Sequence, residues 1–83
     1  MPGDKHKILI IDDDSFILNM YVTKFIKAGH EVETARSGGE ALSKLKDGYT
    51  PDIALIDIVL PDMNGLDLLS KIRAEKLAAE AVF

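Results

Sequence analysis

A short apolar run near the N-terminus, Ile8-Leu9-Ile10-Ile11, limits the folds open to this chain. Three of its four residues are β-branched, which favours a strand. A strand with one face in water would alternate apolar and polar residues, so the uninterrupted run predicts a strand buried on both faces. Such strands are typical of parallel sheets that are covered by helices on both sides.

The rest of the chain alternates between strand and helix patterns. Apolar residues recur at helical spacing, and caps or glycines mark where the helices begin and end. These signals predict helices over about 15–28, 39–47 and 66–76, and further strands over 31–35 and 52–57. The order β-α-β-α-β-α with short connections predicts an α/β fold with a parallel sheet and right-handed crossovers.

The turn before the third helix gives two finer expectations. Gly65 closes the segment that begins at Pro61, and a glycine there suits a positive φ angle. In the helix that follows, the spacing of Leu66, Leu69 and Ile72 predicts that these three side chains face the core.

Composition narrows the functional classes. The net charge of −4 argues against direct contact with nucleic acid. The chain has no cysteine, which excludes disulfides and cysteine zinc sites. Its apolar N-terminal run is too short for a membrane span, so we expect a soluble, cytoplasmic protein without membrane contact.

Carboxylates follow two of the predicted strands. Asp12 and Asp13 come after the first strand, and Asp57 ends the third. Ligands of open α/β sheets bind at the carboxyl ends of the strands, so these side chains converge if the two strands are neighbours. Carboxylates that lie close together repel each other, and Mg²⁺, which prefers oxygen ligands, relieves that repulsion. The pattern predicts a magnesium site with Asp57 as a candidate nucleophile.

Three stretches, "IIDDDS", "SGGEAL" and "DIALIDIVLPDMNGLDLLSKIR", resemble the receiver domain of two-component response regulators. The most specific part is Asp57 followed by Pro61 and then by Met63-Asn64-Gly65. The resemblance extends over essentially the whole chain after Lys7. It implies a flavodoxin-like, doubly wound sheet with strand order 2-1-3.

The resemblance also implies roles for individual residues. Asp57 would accept a phosphoryl group from a histidine kinase or a phosphotransfer protein. Asp13 would bind Mg²⁺ directly, Asp12 would assist through water, and the backbone carbonyl of Val59 would be the third protein ligand. Asp14 would have a capping or surface role. We also expect that the apolar Val59 side chain cannot orient an attacking water, which would prolong the phosphorylated state.

The sequence departs from the family pattern at its C-terminal end. Ala81-Val82-Phe83 resembles the start of a fourth strand, so we expect an incomplete receiver domain at 8–83. Residues 1–7 are polar, and we expect them to form an N-terminal tail. A Ser or Thr after the fourth strand and a Lys after the fifth would be missing. These groups stabilise phosphoryl transfer, so we expect this fragment alone to be incompetent as a switch.

Two other functions fit parts of the sequence. Asp12-Asp13-Asp14 has the D-x-D form of haloacid-dehalogenase-type phosphatases, in which the first Asp is the nucleophile. Alternatively, the chain is a structural fragment that self-associates. An open edge of the third strand is prone to pair, and the tail from Leu77 to Phe83 would complete a neighbouring copy.

Overall fold

The computed structural model describes residues 5–77, which form three strands and three helices. The strands are β1 (Lys7–Ile11), β2 (Glu31–Ala35) and β3 (Ile53–Ile56). The helices are α1 (Ser15–Lys27), α2 (Gly38–Lys46) and α3 (Gly65–Ala74). All strand pairs are parallel and the sheet order is β2-β1-β3, which confirms the predicted fold class and strand order. The predicted fourth strand lies outside the described residues.

The central strand β1 is buried on both faces, as its composition predicts. Ile8 and Ile10 point to one face, where they pack with Leu18 of α1. Leu9 and Ile11 point to the other, where they join a larger cluster that includes core residues of α2 and α3. Helices therefore cover both faces of the sheet, the arrangement typical of doubly wound folds.

The strand register aligns the carboxyl ends of β1 and its neighbours. Ile11, the last residue of β1, pairs with Ala35 on one side and with Ile56 on the other. The ladder continues one step further, because Asp57 N–H donates to the carbonyl of Ile11 at 2.9 Å. The residues that directly follow β1 and β3 therefore emerge side by side at one edge of the sheet.

Gly65 does not have the positive φ angle that the sequence suggested, because it is the first residue of α3. The reason for a glycine is a close approach instead. A Cβ atom on Gly65 would collide with the carbonyl oxygen of Asp57 and would lie 3.0 Å from Cα of Ile58. The start of α3 is thus packed directly against the backbone that follows β3.

The inward face of α3 also differs from the prediction. Leu66 is 64% exposed, whereas Leu68 and Ile72 are fully buried. Leu68 and Ile72 lie four residues apart on one helix face, and this face rather than the one with Leu66 packs against the sheet. Leu69 is half-buried.

None of the helices within residues 5–77 combines the length and apolar character needed to cross a membrane.

Gly65→Ala tests the close approach at the start of α3. Replacing glycine by alanine within a helix is normally favourable, but here the new methyl group meets backbone that cannot move without disturbing β3. We expect the free energy of unfolding to fall by about 2 kcal/mol, measured by urea denaturation.

Gly39→Ala is the control, because Gly39 also lies in the first turn of a helix. A methyl group there would meet only a carboxylate oxygen of Asp62, at 3.3 Å. We expect a small change in stability. A Gly65→Ala variant as stable as Gly39→Ala would contradict the proposed packing.

Candidate functional site

Three carboxylates meet at the carboxyl edge of the sheet. Asp12, Asp13 and Asp57 each place one carboxylate oxygen within 4.8 Å of the others. Asp12 and Asp57 are half-buried and Asp13 is exposed. The structure therefore brings together the three side chains that the sequence proposed as metal ligands.

Backbone pairing explains this convergence. Asp12 N–H donates to the carbonyl of Ala35 at 3.0 Å, and Asp57 N–H donates to the carbonyl of Ile11 at 2.9 Å. Both aspartates thus extend the parallel ladder by one residue. Neighbouring strands are about 4.8 Å apart, so side chains at equivalent positions on two strands reach the same point.

Of the three consecutive aspartates after β1, Asp12 and Asp14 make different hydrogen bonds. Asp14 caps α1, because its carboxylate accepts hydrogen bonds from Phe16 N–H at 2.9 Å and Ile17 N–H at 3.3 Å. The carboxylate of Asp12 accepts from Asp14 N–H at 3.0 Å, which holds it within the turn. Asp14 is therefore committed to the helix and stays outside the acidic cluster, as its predicted capping role requires.

The acidic cluster matches the donor set of a hard divalent cation. All three of its ligand atoms are carboxylate oxygens, which Mg²⁺ prefers over nitrogen or sulfur. The Arg36 guanidinium nearby donates to the backbone carbonyl of Asp13 at 3.1 Å. At the dielectric constant of water, two unit charges 4.8 Å apart repel by about 1 kcal/mol, so a bound cation would stabilise this edge.

The loop after β3 folds back on itself before α3 begins. Val59 and Asn64 form an isolated antiparallel bridge, and Leu60 N–H donates to the carbonyl of Met63 at 3.2 Å. Gly65 N–H donates to the carbonyl of Ile58 at 2.6 Å. We call residues 58–64 the site loop, because it starts directly after Asp57 and carries the backbone carbonyl of Val59.

The site loop is also joined to α2 through Asp62. One carboxylate oxygen of Asp62 accepts from Gly38 N–H at 2.9 Å, and the other accepts from Gly39 N–H at 2.8 Å. The hydrogen bonds from Gly39 and Gly38 lower the pKa of Asp62, because they favour the ionised carboxylate. Its negative charge lies at the positive end of the α2 dipole.

Sequence reasoning missed Asp62 and the capping role of Asn64. Asn64 caps α3 by accepting from Leu66 N–H at 2.6 Å, and the preference for Asn before a helix was an available signal. Asp62 gave no local signal, since its partners are 23 and 24 residues away. The proposed ligation by the Val59 carbonyl stays a prediction, and Val59 itself is 74% exposed.

The chain is similar in sequence to known response regulators. The family model for the response regulator receiver domain matches residues 8–83. The chain is 44% identical over 71 residues to a protein-glutamate methylesterase/protein-glutamine glutaminase of Bacillus licheniformis. The aligned residues are 82% of this chain and 19% of that protein. The chain is 32% identical over 81 residues to the transcriptional regulatory protein TrcR of Mycobacterium tuberculosis, which covers 98% of this chain and 31% of that protein.

Solved receiver structures have the same fold. A CheY-like response regulator receiver domain protein of Methanospirillum hungatei aligns with a TM-score of 0.80 and 40% identity, over 88% of this chain and 58% of that one. The response regulator TrrA of Thermotoga maritima, solved in complex with Mg²⁺–BeF, aligns with a TM-score of 0.78 and 34% identity, over 86% of this chain and 61% of that one.

The chain spans about a fifth to a third of these curated relatives and about three fifths of these solved chains. The family match covers nearly all of the described residues, and it favours the receiver hypothesis over the phosphatase of the dehalogenase type. The strand order and the acidic edge agree with it. The chain belongs to the response regulator receiver domain family.

Proposed function

We propose that Asp57 accepts a phosphoryl group from a histidine kinase or a phosphotransfer protein, at a site that holds Mg²⁺. The observation that supports this most strongly is the convergence of Asp12, Asp13 and Asp57 at the carboxyl edge of the sheet. A lone aspartate at a strand end has many uses, but three carboxylates within 4.8 Å repel each other, and a bound cation would relieve that repulsion.

The proposed ligand roles are those that the resemblance to receiver domains implies. Asp13 and Asp57 would hold the ion directly, Asp12 would assist through water, and the carbonyl of Val59 would complete the protein ligands. When bound, Mg²⁺ would neutralise charge on the phosphoryl oxygens and reduce repulsion between the donor and the carboxylates. The donor set fits this ion, because all of these ligand atoms are oxygens.

The exposure of Asp57 supports its proposed role as the nucleophile. Its carboxylate lies at the rim of the sheet and is half-buried, so it is accessible to a donor from outside. In the transfer, a carboxylate oxygen bonds to phosphorus as the P–N bond of phosphohistidine breaks. The electron pair of that bond stays on the imidazole nitrogen, and the product on Asp57 is an acyl phosphate.

The proposed chemistry makes the chain a signalling domain that assists its own phosphorylation and hydrolysis, rather than an enzyme for an external substrate. Its donor would be a phosphorylated kinase or a phosphotransfer protein. We propose a cytoplasmic location, where such donors and their nucleotides are found.

Removing one carboxylate should have opposite effects on stability with and without metal. In EDTA, Asp13→Asn and Asp57→Asn should each raise the free energy of unfolding by up to about 1 kcal/mol, because they relieve repulsion. With excess Mg²⁺ the wild-type chain should gain stability and both variants should gain little. Urea denaturation under the two conditions measures this.

Asp67→Asn is the matched control, because Asp67 is an exposed carboxylate in the first turn of α3 outside the acidic cluster. Losing a negative charge at a helix N-terminus should slightly lower stability and leave the response to Mg²⁺ unchanged. Variants of Asp13 and Asp57 that behave like Asp67→Asn would count against the metal site.

Phosphorylation should depend on Asp57. We expect Mg²⁺ and phosphoramidate, a small donor with a P–N bond, to add one phosphoryl group to the longest natural form of the protein that contains these residues. Intact mass and lability to hydroxylamine would identify the acyl phosphate. The group should be absent in Asp57→Asn and present in Asp14→Asn, which keeps a capping side chain on α1.

The result also separates the receiver from the phosphatase hypothesis. A phosphoryl group that persists in Asp57→Asn and is lost in Asp12→Asn would place the nucleophile on Asp12. That outcome would overturn the proposed role of Asp57.

The Val59 side chain should affect the lifetime of the phosphorylated state. It is 74% exposed and cannot hydrogen-bond to water. Val59→Asn should speed hydrolysis of the acyl phosphate by about tenfold, because an amide can orient the attacking water. Val59→Leu is the apolar control, and equal decay rates in the two variants would contradict this role.

Self-association through β3 is a second proposal. Among residues 5–77, β3 pairs only with β1, and exposed apolar side chains of Ile58 and Leu66 lie near its free edge. Such an edge can pair with another copy. Sedimentation velocity should show a concentration-dependent dimer that Leu66→Lys weakens, and a monomer at all concentrations would exclude it.

A further inference from the structure

The proposed metal site includes the backbone carbonyl of Val59, so metal binding depends on the position of the site loop. A side-chain ligand can adjust by changing its rotamer, whereas the Val59 carbonyl moves only if residues 58–64 move. The loop must therefore be held in place from outside. Leu60 anchors the loop in the core, and Asp62 joins it by hydrogen bonds to the first turn of α2.

Asp62 makes that attachment through both of its carboxylate oxygens. Each oxygen accepts one backbone N–H, from Gly38 at 2.9 Å and from Gly39 at 2.8 Å. Two such bonds to a planar group fix its orientation as well as its position. Gly38 and Gly39 are also among the first N–H groups of α2, which have no partner within the helix.

A steric fit accompanies the hydrogen bonds. A Cβ atom on Gly38 would lie 2.5 to 2.7 Å from the side-chain atoms of Met63, so the glycine leaves the space that Met63 occupies. Gly38 is buried and Met63 is half-buried. The site loop therefore contacts α2 through two successive residues: Asp62 accepts hydrogen bonds, and Met63 packs against Gly38.

Capping alone does not require this arrangement. Ser37 already serves α2 locally, because its hydroxyl oxygen accepts from Glu40 N–H at 3.1 Å. A cap that comes from a distant loop joins two parts of the fold, whereas a local cap does not. Asp62 and Ser37 thus offer a matched pair on the same helix end, one with a contact to the site loop and one without.

We infer that Asp62 is a positioning residue for the acidic site: by holding the site loop on the first turn of α2, it sets the position of the Val59 carbonyl. This inference rests on the proposed function, because it concerns the same metal site. Binding at the site and the state of the α2 N-terminus are then linked, and each affects the other.

Mg²⁺ titrations followed by the amide signals of the folded chain test the inference. Asp62→Ala should weaken Mg²⁺ binding by about tenfold, the effect typical of groups that orient metal ligands. Ser37→Ala should change the affinity by less than about twofold, although it removes a cap from the same helix. Asp62→Asn keeps one oxygen acceptor and should fall between them.

Two further variants separate positioning from charge. Gly38→Ala leaves the net charge unchanged but displaces Met63, and it should also weaken Mg²⁺ binding. Asp67→Asn removes one negative charge outside the cluster and should not. In the wild-type chain, Mg²⁺ should shift the amide signals of Gly38 and Gly39.

The outcomes distinguish this inference from the proposed function. A wild-type chain that does not bind Mg²⁺ would overturn both. Normal wild-type binding with equal affinities for Asp62→Ala and Ser37→Ala would overturn the positioning role alone. Equal weakening of binding in Asp62→Ala and Asp67→Asn would assign the effect to charge and would also overturn it.

Discussion

The parallel pairing of β1 with β3 determines where the chemistry of this chain can occur. Ile11 and Ile56 are register partners, and the ladder continues to Asp57. Asp12 and Asp57 therefore leave the sheet side by side. A shift of one residue in this register would turn the two side chains to opposite faces and abolish the acidic cluster. The buried apolar residues of β1 thus hold the register on which the site depends.

The site combines groups that repel each other with a backbone that is held firmly. Three carboxylates within 4.8 Å oppose folding in the absence of a cation. Around them, Asp14 caps α1, Asn64 caps α3, and Asp62 accepts from the first amides of α2. Residues adjacent to the site therefore satisfy the starts of all three helices. The same short segments that carry the acidic groups also provide local stability.

The sequence predicted features that depend on local patterns. The run of Ile8 to Ile11 predicted a strand buried on both faces, and the aspartates at the strand ends predicted the acidic cluster. The positive φ of Gly65 and the inward direction of Leu66 were predicted wrongly. The close contact of Gly65 with the backbone of Asp57 has no local sequence signal, whereas the inward pair Leu68 and Ile72 has the i, i+4 spacing of a helix face and could have been chosen. The hydrogen bonds between Asp62 and α2 join residues more than twenty positions apart, so no local sequence pattern marks them.

Paramagnetic broadening by Mn²⁺, which binds the same oxygen ligands as Mg²⁺, tests the central claim most directly. At substoichiometric Mn²⁺, the amide signals of Asp12, Asp13, Asp57 and Val59 should broaden first, and excess Mg²⁺ should restore them. Broadening that begins instead at exposed carboxylates such as Asp47 or Asp67, or that spreads evenly over the acidic surface, would contradict a metal site at the carboxyl edge of the sheet.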